Sequence, residues 1–481
     1  MTETLTLAID QGTHSTRAAL YDGQGRMVAL ARRPVSLQTH NRTTVEQSPL
    51  EIQDSLHDVM NEILQLPGID SAQIGSAGLA TQRSSVLAWE SRSGRPLSPV
   101  LSWQDTRTAA DLEAFAGHEE AIRERTGLRL SPHYGAGKLQ WLLRHDPAVA
   151  AARGQGRLTI GPLAGFLLHH LAQNTRERVD HANASRTLLW NLQDRDWDPW
   201  LLDLFHIPRE ILPDCLPILA DFGLTRHGNI PLAAVNGDQT AALYAQGAPD
   251  HDTLLVNTGT GAFVLLPTGA QHPPVSRLLR GLSRSDARTA DHYLEGTVNG
   301  AAAALDWMAA RYRIADWPAQ LGAWLDRIDN PPVFLNSIGG LGAPWWWRGP
   351  EPVFLPDPGI AEPGPAQALV AVVESIVFLL QANIELLCAQ NPRVKRIRIA
   401  GGLAPLDGLC RKLANLSGLD VERLHAVEAT LRGIAWLAAG SPAGWAPVER
   451  QHLFLPQEDP QLRQRYARFR EALEFRLRQA L

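Results

Sequence analysis

Residues Leu5–Arg33 read LTLAIDQGTHSTRAALYDGQGRMVALARR. Leu5, Leu7 and Ile9 make an apolar strand that stops at Asp10, and a polar turn over Gln11–Ser15 follows. A second strand leaves through Ala18–Tyr21. Asp22-Gly23 and Gly25 then return the chain into a third strand around Met27–Leu30. In the turn, Gly12 lets backbone approach a ligand, Thr13 and Ser15 offer hydroxyls, and several N–H groups can converge on an anion. Asp10 stands at the strand's mouth, where a carboxylate suits a hydrated Mg²⁺. Arg17 suits a phosphate and equally suits a solvated strand face. Alone, the stretch reads as a hairpin joining strands.

A second copy changes that reading. Asp252–Pro267, DTLLVNTGTGAFVLLP, again runs apolar strand, Gly/Thr turn (Thr258-Gly259-Thr260-Gly261), apolar strand. Ala400-Gly401-Gly402 closes the alternating strand Val394–Ile399, and Asn236-Gly237-Asp238-Gln239 closes Leu232–Val235. Each is a short strand that stops at glycine and hands over polar groups. Two such hairpins, one in each half, point to two lobes clamping a nucleoside triphosphate.

The totals agree. At 481 residues the chain exceeds one compact core and fits two domains, with the boundary near Gly247–Asp252, hence lobes 1–247 and 248–481. Apolar residues at 44% and charged residues at 20% are globular proportions. A net charge of −5 makes no electrostatic case for nucleic acid or an anionic membrane. The three cysteines (Cys215, Cys388, Cys410) form no CxxC, which is the usage of a reduced cytoplasmic protein. No signal-like segment precedes the first strand. The most apolar stretch, Ala368–Leu387, carries Glu374, Gln381 and Glu385 and is expected to be a buried helix rather than a membrane span.

Between these landmarks strands and helices alternate, which is α/β organisation. Helices are predicted over Ser48–Leu64, Thr108–Phe115, Lys138–Arg144, Leu163–Leu171, Trp197–Phe205, Thr240–Gln246, Gly300–Arg311, Ala366–Leu387, Leu406–Leu416 and Ala429–Ala439. Strands are predicted over Ile74–Ala80, Val86–Glu90, Pro99–Trp103, Leu278–Ser283 and Tyr293–Val298. Pro344–Pro365, with seven prolines and Trp345-Trp346-Trp347, reads as loop, and the tail Pro460–Leu481 as an amphipathic helix that packs.

Taken in order, Asp10-Gln11-Gly12-Thr13, Thr81-Gln82-Arg83, Trp103-Gln104-Asp105-Thr106-Arg107-Thr108, Asn183-Ala184-Ser185-Arg186-Thr187, Gly237-Asp238-Gln239, Asn257-Thr258-Gly259-Thr260-Gly261, Leu294-Glu295-Gly296, Gly342-Ala343-Pro344 and Ala400-Gly401-Gly402 resemble the FGGY family of carbohydrate kinases. The resemblance spans nearly the whole chain and leans toward the glycerol kinase branch. It implies the actin/hexokinase-type two-domain ATPase fold, duplicated ribonuclease H-like lobes around a central cleft, with ATP and Mg²⁺ as cofactors. It also implies a small polyol or sugar as acceptor, and a homodimer as the assembly.

Carried over by resemblance, Asp238 is the general base, also near the metal, with Asp10 holding Mg²⁺ through water. The chemistry is independent of the family, since a polyol hydroxyl is a poor nucleophile until a carboxylate within reach accepts its proton. The plainer role for Asp238 is to cap the helix beginning at Thr240. Gly12, Thr13, His14, Arg17, Thr258, Gly259, Thr260 and Gly261 fall at the phosphate hairpins, where they would spread transition-state charge. Gly401, Gly402, Asp306 and Asp407 fall on the nucleoside side. Arg83, Ser84, Trp103, His133, Gln239 and Phe263 line the acceptor side, Arg by directional bonds to hydroxyls and the indole as an apolar wall. Asp105 serves either the substrate or Arg107.

The departures matter as much. Glycerol kinases usually carry Glu where this chain has Ser84, and Tyr where it has His133. Loss of a charged acceptor costs ~1.5–3 kcal/mol if the hydroxyl bond is otherwise unchanged. Asp306 and Asp407 stand where Gln and Asn are usual, and Pro350–Pro365 lacks the Phe-Gly-Leu that often follows this loop. The expectation is a kinase of altered specificity. The competing expectation is an ATP-binding switch of the same fold that phosphorylates nothing.

Overall fold

The computed structural model describes residues 4–173, 176–271, 273–356, 362–425 and 428–480. Its frame is two sheets of matching topology. In the first, Leu5–Gln11 pairs antiparallel with Ser15–Tyr21, which pairs antiparallel with Met27–Pro34; on its other side lie Ile74–Thr81 and then Leu232–Gly237, both parallel. In the second, Thr253–Thr258 pairs antiparallel with Ala262–Gly269, which pairs antiparallel with Ala290–Val298; on its other side lie Arg396–Gly401 and Asp420–Leu424, both parallel. Leu279–Ser285 and Arg450–Phe454 extend the second sheet at its edges. A third sheet, built from Gln38–Thr39, Val45–Gln47, Val100–Leu101, Val86–Glu90 and Leu158–Pro162, carries the outer wall of the first half.

Helices cover the sheets because the central strands are apolar on both faces; Leu7, Ala8 and Ile9 are all fully buried. The helix Pro49–Leu64 opens at Ser48, whose hydroxyl accepts the N–H of Glu51, and packs on the first hairpin. The helix Ala429–Ala438 comes from late in the chain yet packs against the first sheet and the short helix Asp238–Ala242. Gly433 permits this contact, since a Cβ there would lie 1.8 Å from the carbonyl oxygen of Ala241.

The 26-residue helix Pro365–Gln390 is long and apolar enough to cross a membrane, but 89% of its most apolar window is buried inside the protein. Its Glu374 receives Lys412 Nζ at 2.8 Å and Arg465 Nη2 at 2.6 Å. The tail helix Pro460–Ala480 is thereby ion-paired to the core as well as packed on it.

Three predicted helices differ. Trp197 lies in a strand, paired with Trp190, and the helix covers only Pro199–Leu204. Asp198 precedes a proline, which disfavours helical backbone, and its carboxylate caps the N–H groups of Trp200 and Leu201 instead. The helix expected over Thr240–Gln246 runs from Asp238 to Ala242, with Gly237 as its N-cap, so Asp238 sits in the first turn rather than ahead of it. The Thr108–Phe115 segment is one α-turn, Ala109–Leu112, continued as a 3₁₀ helix over Glu113–His118. The Pro-rich loop contributes the strand Val353–Phe354, paired with Phe334–Leu335; its residues 357–361 lie outside the described chain.

Candidate active site

The register of the first sheet assembles the site. Gln11 pairs with Thr81, and Thr81 with Gly237, so three strands end in one row. The residues that follow, Gly12, Gln82-Arg83 and Asp238, emerge side by side at the carboxyl edge, where α/β sheets offer their ligand crevice. Gly237 is required there, since a Cβ would lie 2.4 Å from Cδ of Arg83.

Arg83 is the hub of the side where the acceptor is expected. Its guanidinium donates to the hydroxyl of Tyr293 at 2.8 Å and to Oε1 of Gln239. Its Nε lies 3.8 Å from Asp238 Oδ1, and its Nη2 lies 4.0 Å from Glu295. Glu295 also faces Arg186 at 3.3 Å, and Arg186 lies over the Tyr134 ring. In this buried group Glu295 Oε2 and Arg186 Nε and Nη1 have no hydrogen-bond partner. Asp238 Oδ1 accepts the N–H of Gln239 at 2.7 Å, and the side chain keeps 30% of its surface exposed to the cleft. Desolvation raises its pKa above the usual 3.8, opposed by Arg83.

Trp103 and His133 complete this wall. The indole donates to Thr13 Oγ1 at 3.0 Å, and His133 Nδ1 donates to the Trp103 carbonyl at 3.1 Å. Ser84 takes a left-handed backbone (φ 65°), and its hydroxyl donates to the Arg186 carbonyl at 3.3 Å. Asp105 is fully buried and committed to Arg107 and the Val45 N–H, which decides between its two possible roles in favour of Arg107.

In the first hairpin, Gly12 N–H donates to the Ser15 carbonyl at 3.0 Å and closes the turn; the His14 side chain is exposed. Asp10 is 1% exposed, and its Oδ2 accepts from Arg17, which also reaches Glu428. Arg17 is thus neither a solvated surface cation nor free, but a bridge between Asp10 and Glu428. Asp10 Oδ1 is buried with no partner, and burial pushes the carboxyl up to about 7, against Arg17 and with the help of Asp238. A buried, unpartnered carboxylate oxygen at the mouth of a strand has the donor chemistry of a magnesium ligand.

The second hairpin shares a cavity with the first, Asn257 and Phe263 lining it together with Arg17. Its exposed tip, Gly259-Thr260, gives backbone carbonyls to the N–H groups of Ala301, Ala302 and Ala303, so it seats the helix Ala302–Tyr312. Gly261 fits only without a side chain, since a Cβ would lie 2.8 Å from the Val298 carbonyl oxygen. Thr258 turns inward and donates to the Ala400 carbonyl at 3.0 Å. Thr258 pairs with Gly401, which carries φ 94° and leaves no room for a Cβ against the Thr258 carbonyl oxygen. Gly401 and Gly402 are exposed at this edge.

A cavity of about 550 Å³ lies between the lobes, with Arg17, Gln239, Asn257, Phe263, Gly401 and Glu428 among its lining residues. Phe263 thus faces the cleft on the second lobe, beside Gln239 from the first. The two aspartates expected on the nucleoside side already have partners. Asp306 accepts the Trp317 indole N–H at 3.2 Å, and Asp407 is ion-paired to Arg423 at 2.7 Å. Sequence reasoning passes over Tyr293, Tyr134 and Lys138 as site components. Lys138 carries a usable signal, a lysine on the apolar stripe of its helix.

Residues 5–244 match the N-terminal domain of the FGGY family of carbohydrate kinases, and residues 254–441 match its C-terminal domain. The chain is 34% identical to the glycerol kinase of Synechocystis sp. over 463 residues, 92% of each chain. It is 30% identical to that of Natranaerobius thermophilus over 490 residues, 97% of each. Among solved structures, the Plasmodium falciparum glycerol kinase with ADP superposes with a TM-score of 0.88 at 23% identity, covering 98% of both chains. Ligand-bound xylulose kinase from Lactobacillus acidophilus gives 0.83 at 19% identity, covering 99% of this chain and 98% of that one.

Proposed function

This chain belongs to the FGGY family of carbohydrate kinases, phosphotransferases with an alcohol group as acceptor, and on that premise we propose that it phosphorylates a small polyol in a Mg-ATP-dependent reaction with Asp238 as the base. The observation that carries the reading is the meeting of Arg83, Asp238 and Gln239 at one sheet edge, with Gln239 sharing a cavity with Asn257 and Phe263 of the second hairpin. In this reading Arg83 and Gln239 hold acceptor hydroxyls, and Trp103 covers the carbon chain. Asp238 accepts the proton of the attacking hydroxyl, with its raised pKa bringing its basicity closer to the task.

In the two turns, which the Gly12 and Gly259 N–H groups close, the remaining amides and the hydroxyls of Thr13 and Thr260 steady the β- and γ-phosphates from opposite lobes, and Gly401-Gly402 leaves room for the α-phosphate and ribose. Asp10, with Asp238 nearby, would hold Mg²⁺, which when bound neutralises phosphate charge. Lobe closure would exclude water, so that hydrolysis of ATP does not compete. The lobes divide near Gly247–Asp252, and the enzyme acts in the cytoplasm as a homodimer, without nucleic acid or membrane partners.

The relatives are named glycerol kinases, so glycerol is the first acceptor to test. Ser84 in place of a carboxylate favours a longer polyol or a sugar as the better one. The test is ADP release with Mg-ATP against glycerol, erythritol, ribitol, xylitol, xylulose, ribulose and fuculose, with Asp238→Asn as the blank. One acceptor with strong, Asp238-dependent turnover supports the proposal. A flat panel with ATP still bound would favour the switch reading, which no observation in the site otherwise favours.

A further inference from the structure

Lys138 is 0% exposed, in the first turns of the helix Gly135–His145. Its Nζ donates to three backbone carbonyls, Ser102 at 2.7 Å, His133 at 2.9 Å and Ser84 at 3.1 Å. An ammonium has three N–H donors and no acceptor, so the match is complete. The three carbonyls belong to three separate segments. Ser84 follows Arg83, Ser102 precedes Trp103, and His133 is itself the third wall residue. No carboxylate lies within ion-pair distance of Nζ among the described residues; Asp105, whose charge favours the ammonium from farther off, is already committed to Arg107 and the Val45 N–H.

We infer that Lys138 is a positioning residue for the acceptor site: one buried ammonium sets the spacing of the segments that carry Arg83, Trp103 and His133. The inference rests on the reading of those three residues as the acceptor wall. It explains why a lysine is buried at a place where leucine would pack. Without the ammonium the Ser84 and His133 carbonyls would lose their donor, while Ser102 would keep only the N–H of Asp105.

The arrangement also makes the wall sensitive to protonation. A neutral amine offers two N–H groups and a lone pair, so one carbonyl must lose its bond and face that lone pair. Burial pulls the Lys138 ammonium down to about 7, with Asp105 opposing and Arg107 assisting. His133 is the remaining titratable neighbour; desolvation of its ring and the Lys138 charge lower its pKa, opposed by its hydrogen bond to the Trp103 carbonyl.

Three measurements on the full-length enzyme test this. With glycerol as probe, Lys138→Met should raise the glycerol KM about tenfold, the equivalent of ~1.4 kcal/mol, and leave the ATP KM within about twofold. An unchanged glycerol KM, or an equal rise for ATP, overturns it. In the wild type the glycerol KM should climb between about pH 6 and 9, and Lys138→Met should abolish the climb. A flat wild-type profile overturns the inference even if the variant does not fold. Hydrogen exchange needs no turnover: at fixed pH, Lys138→Met should speed exchange in the peptides around residues 83–85, 102–104 and 131–134, and not in the second hairpin. Uniform acceleration, or none, overturns it. If the wild type turns over no polyol, the substrate reading fails by itself, and the exchange result still decides the role of Lys138.

Discussion

The indole N–H of Trp103 donates to the hydroxyl of Thr13 at 3.0 Å, across 90 residues of chain. The proposed acceptor wall and the first Gly-Thr hairpin are therefore one hydrogen-bonded unit, and Gln47 reinforces it by donating to the Thr13 carbonyl at 2.8 Å. A wall tied to the phosphate hairpin fixes the distance between the attacking hydroxyl and the γ-phosphate, the quantity on which a positioning-limited phosphoryl transfer depends.

A double-mutant cycle measures that link. Trp103→Phe keeps the apolar wall and removes the donor, and Thr13→Val removes the acceptor. The expected coupling in kcat/KM is about 0.5–1.5 kcal/mol. Strict additivity of the two losses would show that wall and hairpin act independently.

Asp238→Asn should lose ~10³-fold or more in kcat while ATP binding is retained, because the amide preserves shape and cannot accept the proton. In the wild type the base works only when ionised. Its raised pKa shifts the acid limb of kcat/KM above the ordinary aspartate value of 3.8. Activity therefore rises with pH through that limb. An acid limb at or below pH 3.8, or near-normal turnover in Asp238→Asn, removes Asp238 as the base.

Ser84→Glu restores the acceptor that glycerol kinases usually carry. The neighbouring Arg83 favours an anion, whereas the Arg186 carbonyl that accepts from the Ser84 hydroxyl opposes one, and the left-handed backbone at 84 disfavours any side chain larger than glycine. A charge-assisted bond of ~1.5–3 kcal/mol outweighs an αL cost of about 1 kcal/mol already borne by Ser84, so glycerol use should improve. Unchanged glycerol kinetics would take position 84 out of the acceptor site.

Much of the fold is legible in the sequence. The alternation of Leu5, Leu7 and Ile9, the stop at Asp10 and the glycine-rich second copy are enough to indicate two strand–turn–strand lobes, because hairpins carry their signal locally. The strand Val86–Glu90 and the helix Leu163–Leu171 fall where periodicity puts them. What escapes is set by distant partners. Nothing near Arg17 in sequence announces Glu428, and nothing near Lys138 announces the carbonyls of residues 84 and 102. Asp306 and Asp407 stand out in the sequence only as substitutions, and tertiary packing alone gives them Trp317 and Arg423.

Gly433→Ala tests how the catalytic strand is held. The new methyl group would fall 1.8 Å from the Ala241 carbonyl oxygen, which is backbone and cannot swing aside. The helices must separate, at an expected cost of about 1–3 kcal/mol in stability. Asp238 lies three residues before Ala241 in the same short helix, so kcat should fall together with the melting temperature. Full activity in a destabilised variant would mean that Asp238 is anchored by its strand and not by this contact.

The last prediction sets stability against binding at Lys138. Its pKa falls from 10.5 in the unfolded chain to about 7 in the fold. Between those values the unfolded state binds more protons than the native state. Stability from this group therefore rises with pH across the window, by at most ~1.4 kcal/mol per pH unit, and is smallest below about pH 7. Acceptor affinity should move the other way, since deprotonation removes one of three bonds that space the wall. Urea melts of wild type and Lys138→Met at pH 7 and pH 9 isolate the group: the wild type should gain stability relative to the variant as pH rises. A relative loss would mean that the ammonium is stabilised, not strained, by its three carbonyls. The wall would then stay organised at alkaline pH.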